Sequence, residues 1–542
     1  MKIRNKQASN LFQGTLVLTA AGIIVKIIGS LNWIILSRVL GGEGMGLYQM
    51  AYPLYFLALS VSSAGIPVAI SIITAERVAV QDYRGARRVF RISLTLLAIT
   101  GVVFSLLLYS GADWLIKERF IRDARAYYSL IALSPAIFFV TILSSFRGYL
   151  QGWQIMTPTA VSQIVEQVVR VLTMLFFAML LASRGIEFAA AGATFGAGPG
   201  ALAGVGVLLF FYWRHRERLS QVSSPDVGGI EFNQFEIVKR ILRLSIPISV
   251  ASIMLPVVSN LDLLVVPLRL EDAGYSVEQA TELYGYLTGM AVPLVNLATV
   301  LTGALATSIV PAISEVYSLG NRERLYSRTA AAFRLANIVT IPAFVGVWLL
   351  AEPLVTILYH APQAAPPVAV LSIGIVFLGI HQVSTGVLQG MGRTIVPVVN
   401  MAISAVAKVG LNWMLTAIPH LGIVGAAWAT VADIGIAALL NMYYVRRYTS
   451  FGLDFHSLGK SIAAAIIMGG AVYLVFGSVV MLTRSNNLAV LSAIVVGVTV
   501  YGMVMLIIGG IGANDIKMVP LIGPRLARVL QIVKLLKEES VK

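Results

Sequence analysis

The chain has 542 residues, 58% of them hydrophobic and only 12% charged, with a mean hydropathy of +0.84. A soluble domain carries about 25% charged residues, so this composition excludes a soluble fold and makes lipid the solvent. The net charge of +15 does not signal nucleic-acid binding, because the basic residues sit in the breaks between apolar runs, and the lack of cysteine excludes disulfides and thiolate metal sites.

Apolar runs of about 20 residues, each long enough to cross a bilayer, follow one another with short polar breaks. Behind the basic start (Lys2, Arg4, Lys6) the first run reaches from about Leu11 to Leu40. That is too long for a signal-peptide core, so it is read as a retained helix. The spacing predicts helices near 12–40, 47–75, 90–110, 127–150, 157–183 and 188–213. A further six fall near 241–268, 283–311, 329–351, 367–391, 395–418 and 422–445, and two more near 460–483 and 488–510. The fold class is an all-α polytopic membrane protein of about fourteen transmembrane helices.

Lys and Arg fix the expected orientation. Of the 40, 29 lie in the two tails and in or beside the even-numbered loops. Eight lie in the odd-numbered loops, and three (Lys26, Arg170, Lys408) lie within helices. By the positive-inside rule both termini are cytoplasmic. The tail has Leu526, Val529, Leu530, Val533 and Leu536 interleaved with Arg525, Arg528, Lys534 and Lys537. This reads as an amphipathic helix on the anionic inner leaflet.

The first twelve helices repeat at a spacing of about 239 residues. Met50-Ala51-Tyr52-Pro53-Leu54 answers Met290-Ala291-Val292-Pro293-Leu294, and Gly148-Tyr149-Leu150-Gln151-Gly152 answers Gly386-Val387-Leu388-Gln389-Gly390. Pro158 answers Pro397. An even number of helices per repeat implies two lobes of like orientation around a cleft, as in alternating-access transporters. The expected organisation is an N-lobe over 1–213, a cytoplasmic linker over 214–240, a C-lobe over 241–445, two added helices over 446–510 and the tail over 511–542. Pro53, Pro67, Pro135, Pro247, Pro256, Pro293 and Pro342 fall within helices as packing kinks or points of mobility. The Gly-rich stretch Gly192 to Gly206 favours close helix packing.

A charge in the hydrocarbon core costs on the order of 3 kcal/mol or more, so intramembrane charges mark candidate sites. Lys26 lies near the middle of the first helix, as a cavity-facing cation or the partner of a carboxylate. Glu166 and Arg170 are four apart on one helical face, which suits either a neutralising pair or a substrate contact with spare guanidinium donors. Arg170 lies twelve residues past Pro158 and Lys408 eleven past Pro397, so both halves carry a cation at nearly one repeat position. Two cations facing one cleft suit a diphosphate. Asp262 and Asp433 are candidate coupling sites or counter-ions, Asn32 and Asn260 candidate interhelical hydrogen bonders, and Arg147 reads as a topology anchor at a helix end. No catalytic motif is present: no HExxH, GxxxxGK[ST] or GxSxG. No enzyme activity, cofactor or metal is expected.

The runs Gly42-Glu43-Gly44-Met45-Gly46-Leu47-Tyr48-Gln49-Met50-Ala51-Tyr52-Pro53, Ala64-Gly65-Ile66-Pro67-Val68-Ala69-Ile70-Ser71, Phe146-Arg147-Gly148-Tyr149-Leu150-Gln151-Gly152 and Met156-Thr157-Pro158-Thr159-Ala160 carry a family likeness. The chain resembles the stage V sporulation protein B and YtgP branch of the polysaccharide transporter family. Its superfamily also holds the MurJ lipid II flippases and MATE drug exporters. The resemblance implies a two-lobed MATE/MurJ-like fold of fourteen helices in the cytoplasmic membrane. It also implies flipping of an undecaprenyl-pyrophosphate-linked peptidoglycan precursor in cell-wall or spore-cortex synthesis. Membrane lipids and the cell-wall synthesis machinery are the implied partners. MurJ proteins carry two basic residues six apart in helix 1 and a third in helix 8. Here Lys26 matches the first, while Asn32 and Thr288 stand at the other two, and Arg170 and Lys408 are the expected replacements. The competing readings are an exporter of another lipid-linked polysaccharide, a MATE-like antiporter for cationic drugs, a membrane glycosyltransferase, and a non-transporting scaffold. A cationic cleft disfavours cationic drugs, and the outer loops are too short for a transferase.

Overall fold

The computed structural model describes residues 2–63, 65–214, 234–452 and 454–511. The tail expected to be amphipathic and most of the segment read as a cytoplasmic linker lie outside the described residues. Those described form helices and turns without strands. Thirteen helical runs among them are long and apolar enough to cross a membrane. The first, Ala20–Ala79, has 60 residues, or roughly 90 Å at 1.5 Å per residue, which suffices for two crossings. The expected fourteen helices are thereby accounted for.

The chain divides into two compact units, Met1–Gly285 and Tyr286–Lys542. The first holds α1 (Lys2–Ser63), α2 (Ile66–Ala79), α3 (Tyr83–Lys117), α4 (Ala126–Gly152), α5 (Thr157–Leu181), α6 (Ile186–Phe195), α7 (Ala197–Arg214), α8 (Gln234–Asp272) and α9 (Val277–Tyr284). A π-turn, Gly285–Ala291, leads into the second. There follow α10 (Val292–Ala298), α11 (Val300–Ser318), α12 (Arg322–Leu349), α13 (Ala351–Tyr359), α14 (Ala365–Gly390), α15 (Ile395–Leu415), α16 (Ile423–Thr449), α17 (Phe455–Thr483) and α18 (Asn486–Ile507). The compact units part at Gly285, beyond the segment 214–240 read as a linker. The cause is α8, which packs on α1 and α2. Gly65 N–H donates to Ser249 Oγ (3.0 Å), and Asn260 Nδ2 donates to the carbonyl oxygens of Pro53 (2.8 Å) and Pro256 (2.7 Å). Asn260 thus makes the interhelical bond expected of it.

The burial pattern is inverted relative to a soluble protein. On α3, Ile99, Val102, Val103, Leu106 and Leu107 are all exposed, and on α18 so are Leu491, Ile494, Val495 and Val498. Such continuous apolar faces suit lipid. Inside each unit the cores repeat. One cluster joins Ile66, Ile70 and Ile73 of α2 to Val89 and Phe90 of α3 and Phe146, Tyr149 and Leu150 of α4. Another joins Ile309, Ile313 and Val316 of α11 to Phe333 of α12 and Val383, Val387 and Leu388 of α14. A third, including Ile341 of α12, Met468 and Val472 of α17 and Tyr501 and Met505 of α18, belongs to the two helices added beyond the repeat.

Helix crossings repeat down to single atoms. A Cβ on Gly148 would lie 2.6 Å from the carbonyl oxygen of Pro67, and one on Gly386 would lie 2.5 Å from that of Ala306. Gly152 meets Ser71 and Thr74 as Gly390 meets Val310 and Ile313. Asp82 caps α3 by accepting from Gly85 N–H, and Asn321 caps α12 by accepting from Arg324 N–H. The paired GxxxG-like motifs are therefore one helix crossing used twice, with backbones touching where only glycine leaves room.

Some expected helices are broken. The turn at Gly41 (φ 65°), a conformation that costs glycine little, falls between the helices expected over 12–40 and 47–75. The stretch read as one helix over 283–311 is split by the π-turn and by a second break at Thr299. Pro67 and Pro293, expected as interruptions, instead stand at the starts of α2 and α10, where a missing N–H removes no helical bond. Pro53, Pro135 and Pro342 do lie inside helices.

Candidate functional site

The densest charge cluster within the membrane-spanning part of the first unit is built on α4 and α5. Ser162, Glu166 and Arg170 succeed one another at intervals of four on α5, which puts them on one face. Arg170 Nη2 donates to Glu166 Oε1 (2.7 Å). The other carboxylate oxygen, Oε2, accepts from Arg147 Nη2 of α4 (2.8 Å). Arg147 also donates from Nε (3.2 Å) and Nη2 (3.1 Å) to Ser162 Oγ, whose own proton goes to the Thr159 carbonyl (2.8 Å). One carboxylate therefore serves two guanidiniums, and the trio carries one unit of positive charge. Its side chains are partly open, at 18% for Arg147, 23% for Arg170 and 13% for Glu166.

Glycines on α7 set the back wall. A Cβ on Gly200 would come within 2.8 Å of Arg170 Cβ and 2.9 Å of the Glu166 carbonyl oxygen, and one on Gly196 within 2.9 Å of the Arg170 carbonyl oxygen. The helix thus presses on α5 at the height of the charges, as the Gly-rich stretch led us to expect. On α1, Tyr48 and Tyr52 stack (4.4 Å between ring centroids) and Tyr52 meets Tyr55 edge-on (5.8 Å). Asn32, also on α1, donates to Met174 Sδ of α5 (3.1 Å).

The second unit has its own buried pair. Lys408 of α15 is only 6% exposed and lies 3.8 Å from Asp433 of α16. Asp433 accepts from Ser404 Oγ (2.6 Å). Asn400 donates to Asn441 (2.8 Å), which donates to Thr385 (3.0 Å). Each unit thus has a basic residue at the repeat position, one in a trio with surplus positive charge and the other beside a carboxylate.

Two further candidates, Lys26 and Asp262, lie on other helices of the first unit. Lys26 is exposed on α1, among the exposed Ile23, Ile24 and Ile27, and enters none of the ion pairs above. Asp262 is half-buried on α8, in the first unit, whereas Asp433 belongs to the second. Arg147 requires a correction. It is not a mere anchor at a helix end, because its guanidinium closes the ion cluster with Glu166. Its sequence neighbours gave no hint of this, since the contact spans the α4–α5 turn. The signal available was Ser162-Glu166-Arg170 on one face, which is acidic and hydroxylic enough to want a second donor.

A further network links the loops that the Lys and Arg count assigns to the exterior. Asp123, 3% exposed, accepts from Arg125 Nε (3.0 Å) and Nη2 (2.7 Å) and from Thr281 Oγ1 (2.9 Å). Arg125 Nη1 reaches Glu43 (2.5 Å), just past the break at Gly41. The Asp123 hydrogen bonds hold Arg125 above the ordinary arginine pKa, against desolvation, with Glu43 assisting. Glu278, capped by backbone and by Ser276, is held below the ordinary glutamate value.

Comparison with known proteins agrees with this architecture. Residues 11–317 match the family model described as polysaccharide biosynthesis protein, and residues 287–414 match the MatE model. Stage V sporulation protein B of Bacillus subtilis (strain 168) is 30% identical, over 95% of this chain and 99% of its own. The lipid II flippase MurJ of the same organism is 27% identical, over 86% of this chain and 89% of its own. Among solved structures, lipid II flippase MurJ in an inward closed conformation superposes with a TM-score of 0.68 at 15% identity, covering 90% of this chain and 98% of that one. An inward-facing MATE family transporter of the MOP superfamily gives 0.66 at 18%, covering 80% and 98%. At such identities the structures speak for the fold alone. The chain belongs to the polysaccharide biosynthesis protein family and is a multi-pass membrane flippase or transporter.

Proposed function

We propose that this protein flips a lipid-linked, pyrophosphate-bearing saccharide of the lipid II type across the cytoplasmic membrane by alternating access, with both termini in the cytoplasm. The observation that carries the reading is the surplus positive charge of Arg147, Glu166 and Arg170 among membrane-spanning helices. Such a cluster is tolerable where it lines a polar path, and it favours an anionic headgroup over a cationic drug. The names of the relatives, a sporulation protein and a lipid II flippase, support a cell-wall or spore-cortex precursor as cargo. In this reading Arg170 of α5 meets the headgroup, with Lys26 and Asn32 contributed by α1. Lys408 acts through its pair with Asp433, and Asp433 and Asp262 are the coupling candidates.

The test is reconstitution of the full chain in liposomes with labelled lipid II, following its leaflet exposure. Wild type should move it. Arg170→Ala should slow it at least tenfold, with smaller losses for Lys26→Ala and Lys408→Ala at unchanged folding. A wild type that moves other undecaprenyl-linked saccharides but not lipid II keeps the transport class and changes the cargo. One that moves none of them sinks the reading.

A further inference from the structure

We propose that Arg147, Glu166 and Arg170 form an anion-exchange site for a diphosphate group, in which the Glu166 carboxylate is the resident anion that an incoming phosphate displaces. The proposal rests on the flippase reading and deepens it. It assigns the headgroup contact to two arginines on α4 and α5 and gives the acid between them a role as internal competitor.

Donor arithmetic motivates it. Two guanidiniums present ten N–H donors. Four hydrogen bonds occupy them: two from Arg147 to Ser162, one from Arg147 to Glu166 and one from Arg170 to Glu166. Glu166 takes one arm of each arginine rather than the paired arms of either. Bidentate contact to a carboxylate or phosphate is the stronger arrangement, and it is left unused at both. Arg170 Nε is buried without a partner, a cost that a structural ion pair has no reason to bear. A phosphate with several acceptor oxygens can engage both forks at once, which one carboxylate held by its own helix does not.

The surroundings fix the two arginines for that task. Ser162 gives its proton to Thr159 and so meets Arg147 purely as an acceptor, which orients the guanidinium. Gly196 and Gly200, just before and at the start of α7, bring that helix against the backbone and Cβ of Arg170, which fixes where its side chain begins. The alternative role, in which the trio only pins α4 to α5, explains the Glu166 contacts but neither the surplus cation nor the orphaned Nε.

The experiment titrates the purified full-length protein in nanodiscs with inorganic pyrophosphate by calorimetry, with inorganic phosphate and sulfate as comparison anions and thermal unfolding as the folding control. Wild type should bind pyrophosphate more tightly than either comparison anion. Glu166→Gln removes the competitor and should tighten binding at least tenfold. Arg147→Lys and Arg170→Lys keep charge but lose the fork, and each should weaken binding at least tenfold. Should Glu166→Gln not fold, Glu166→Asp, whose shorter carboxylate reaches less well, should give a smaller tightening. Unchanged or weaker binding in the folded Glu166 variant overturns the exchange, as does Arg147→Lys binding like wild type. No lipid is transported in this assay, so the two ideas fail separately. Lipid II movement without pyrophosphate binding sinks the site, and pyrophosphate binding without lipid II movement sinks the cargo.

Discussion

Single residues differ sharply in what their removal should cost, and burial decides the order. Asp123 is almost fully enclosed and depends on Arg125 and Thr281. Arg125→Gln strands that carboxylate, and breaking a buried pair from one side costs about 3 kcal/mol, so thermal unfolding in detergent should fall by several degrees. Glu43 is 37% exposed, and solvent screens its pairing with Arg125. Glu43→Gln should cost under about 1 kcal/mol. Equal losses for the two would contradict this ranking. The raised pKa of Arg125 gives its pH dependence a definite sign. The stabilisation is fully present below the ordinary arginine value and is lost only at still more alkaline pH, so Arg125 contributes no pH dependence to unfolding between pH 6 and 9. At this scale the sequence was legible for Arg170, Glu166, Lys408 and Asp433, because a charge in an apolar run declares itself. It was illegible for Arg147, whose position near a helix end has an ordinary explanation and whose partner lies across a turn. The burial of Lys408 and the exposure of Lys26 also depend on which way each helix faces, which apolar runs on every side of a helix conceal.

At the scale of helices, glycine does the fitting. Two hydrophobic helices gain no burial from water by meeting inside lipid, so close backbone approach must supply the attraction. Gly148→Val and Gly386→Val each push a side chain into a carbonyl oxygen on the crossing helix, and both should destabilise by about 1–3 kcal/mol through overpacking. Gly200→Val should do likewise and also disturb Arg170. Gly470 has open space around its Cβ position, so Gly470→Val is the tolerated control, and unfolding temperatures of all four variants check the set. Element order and helix number were readable from hydropathy, and the repeat from motifs spaced by about 239 residues. The π-turn at Gly285–Ala291 was not, because an apolar run looks the same whether its hydrogen bonds close over four residues or five.

At the scale of the whole molecule, the position of α8 is not legible in hydropathy. The packing of Asn260, Ser249 and Arg240 against α1 and α2 ties α8 to helices that precede it by more than 150 residues. Chains 1–214 and 234–542, co-expressed as separate polypeptides, should therefore copurify in mild detergent, and Asn260→Leu should weaken that association. Independent elution of the two fragments would show that α8 holds to the first unit too loosely to define it.

The unequal count in the Arg147, Glu166 and Arg170 cluster has an electrical consequence. Empty, the site is singly positive; if the cargo is the proposed diphosphate diester, of about two negative charges, the loaded site becomes singly negative. A membrane potential is worth about 2.3 kcal/mol per charge per 100 mV. An inside-negative potential therefore drives the loaded site outward and draws the empty site back, so one voltage favours both halves of a transport cycle. Collapsing the potential across the liposome should slow lipid movement. Glu166→Gln, which makes the loaded site neutral, should remove the voltage dependence of the outward step while strengthening that of the return.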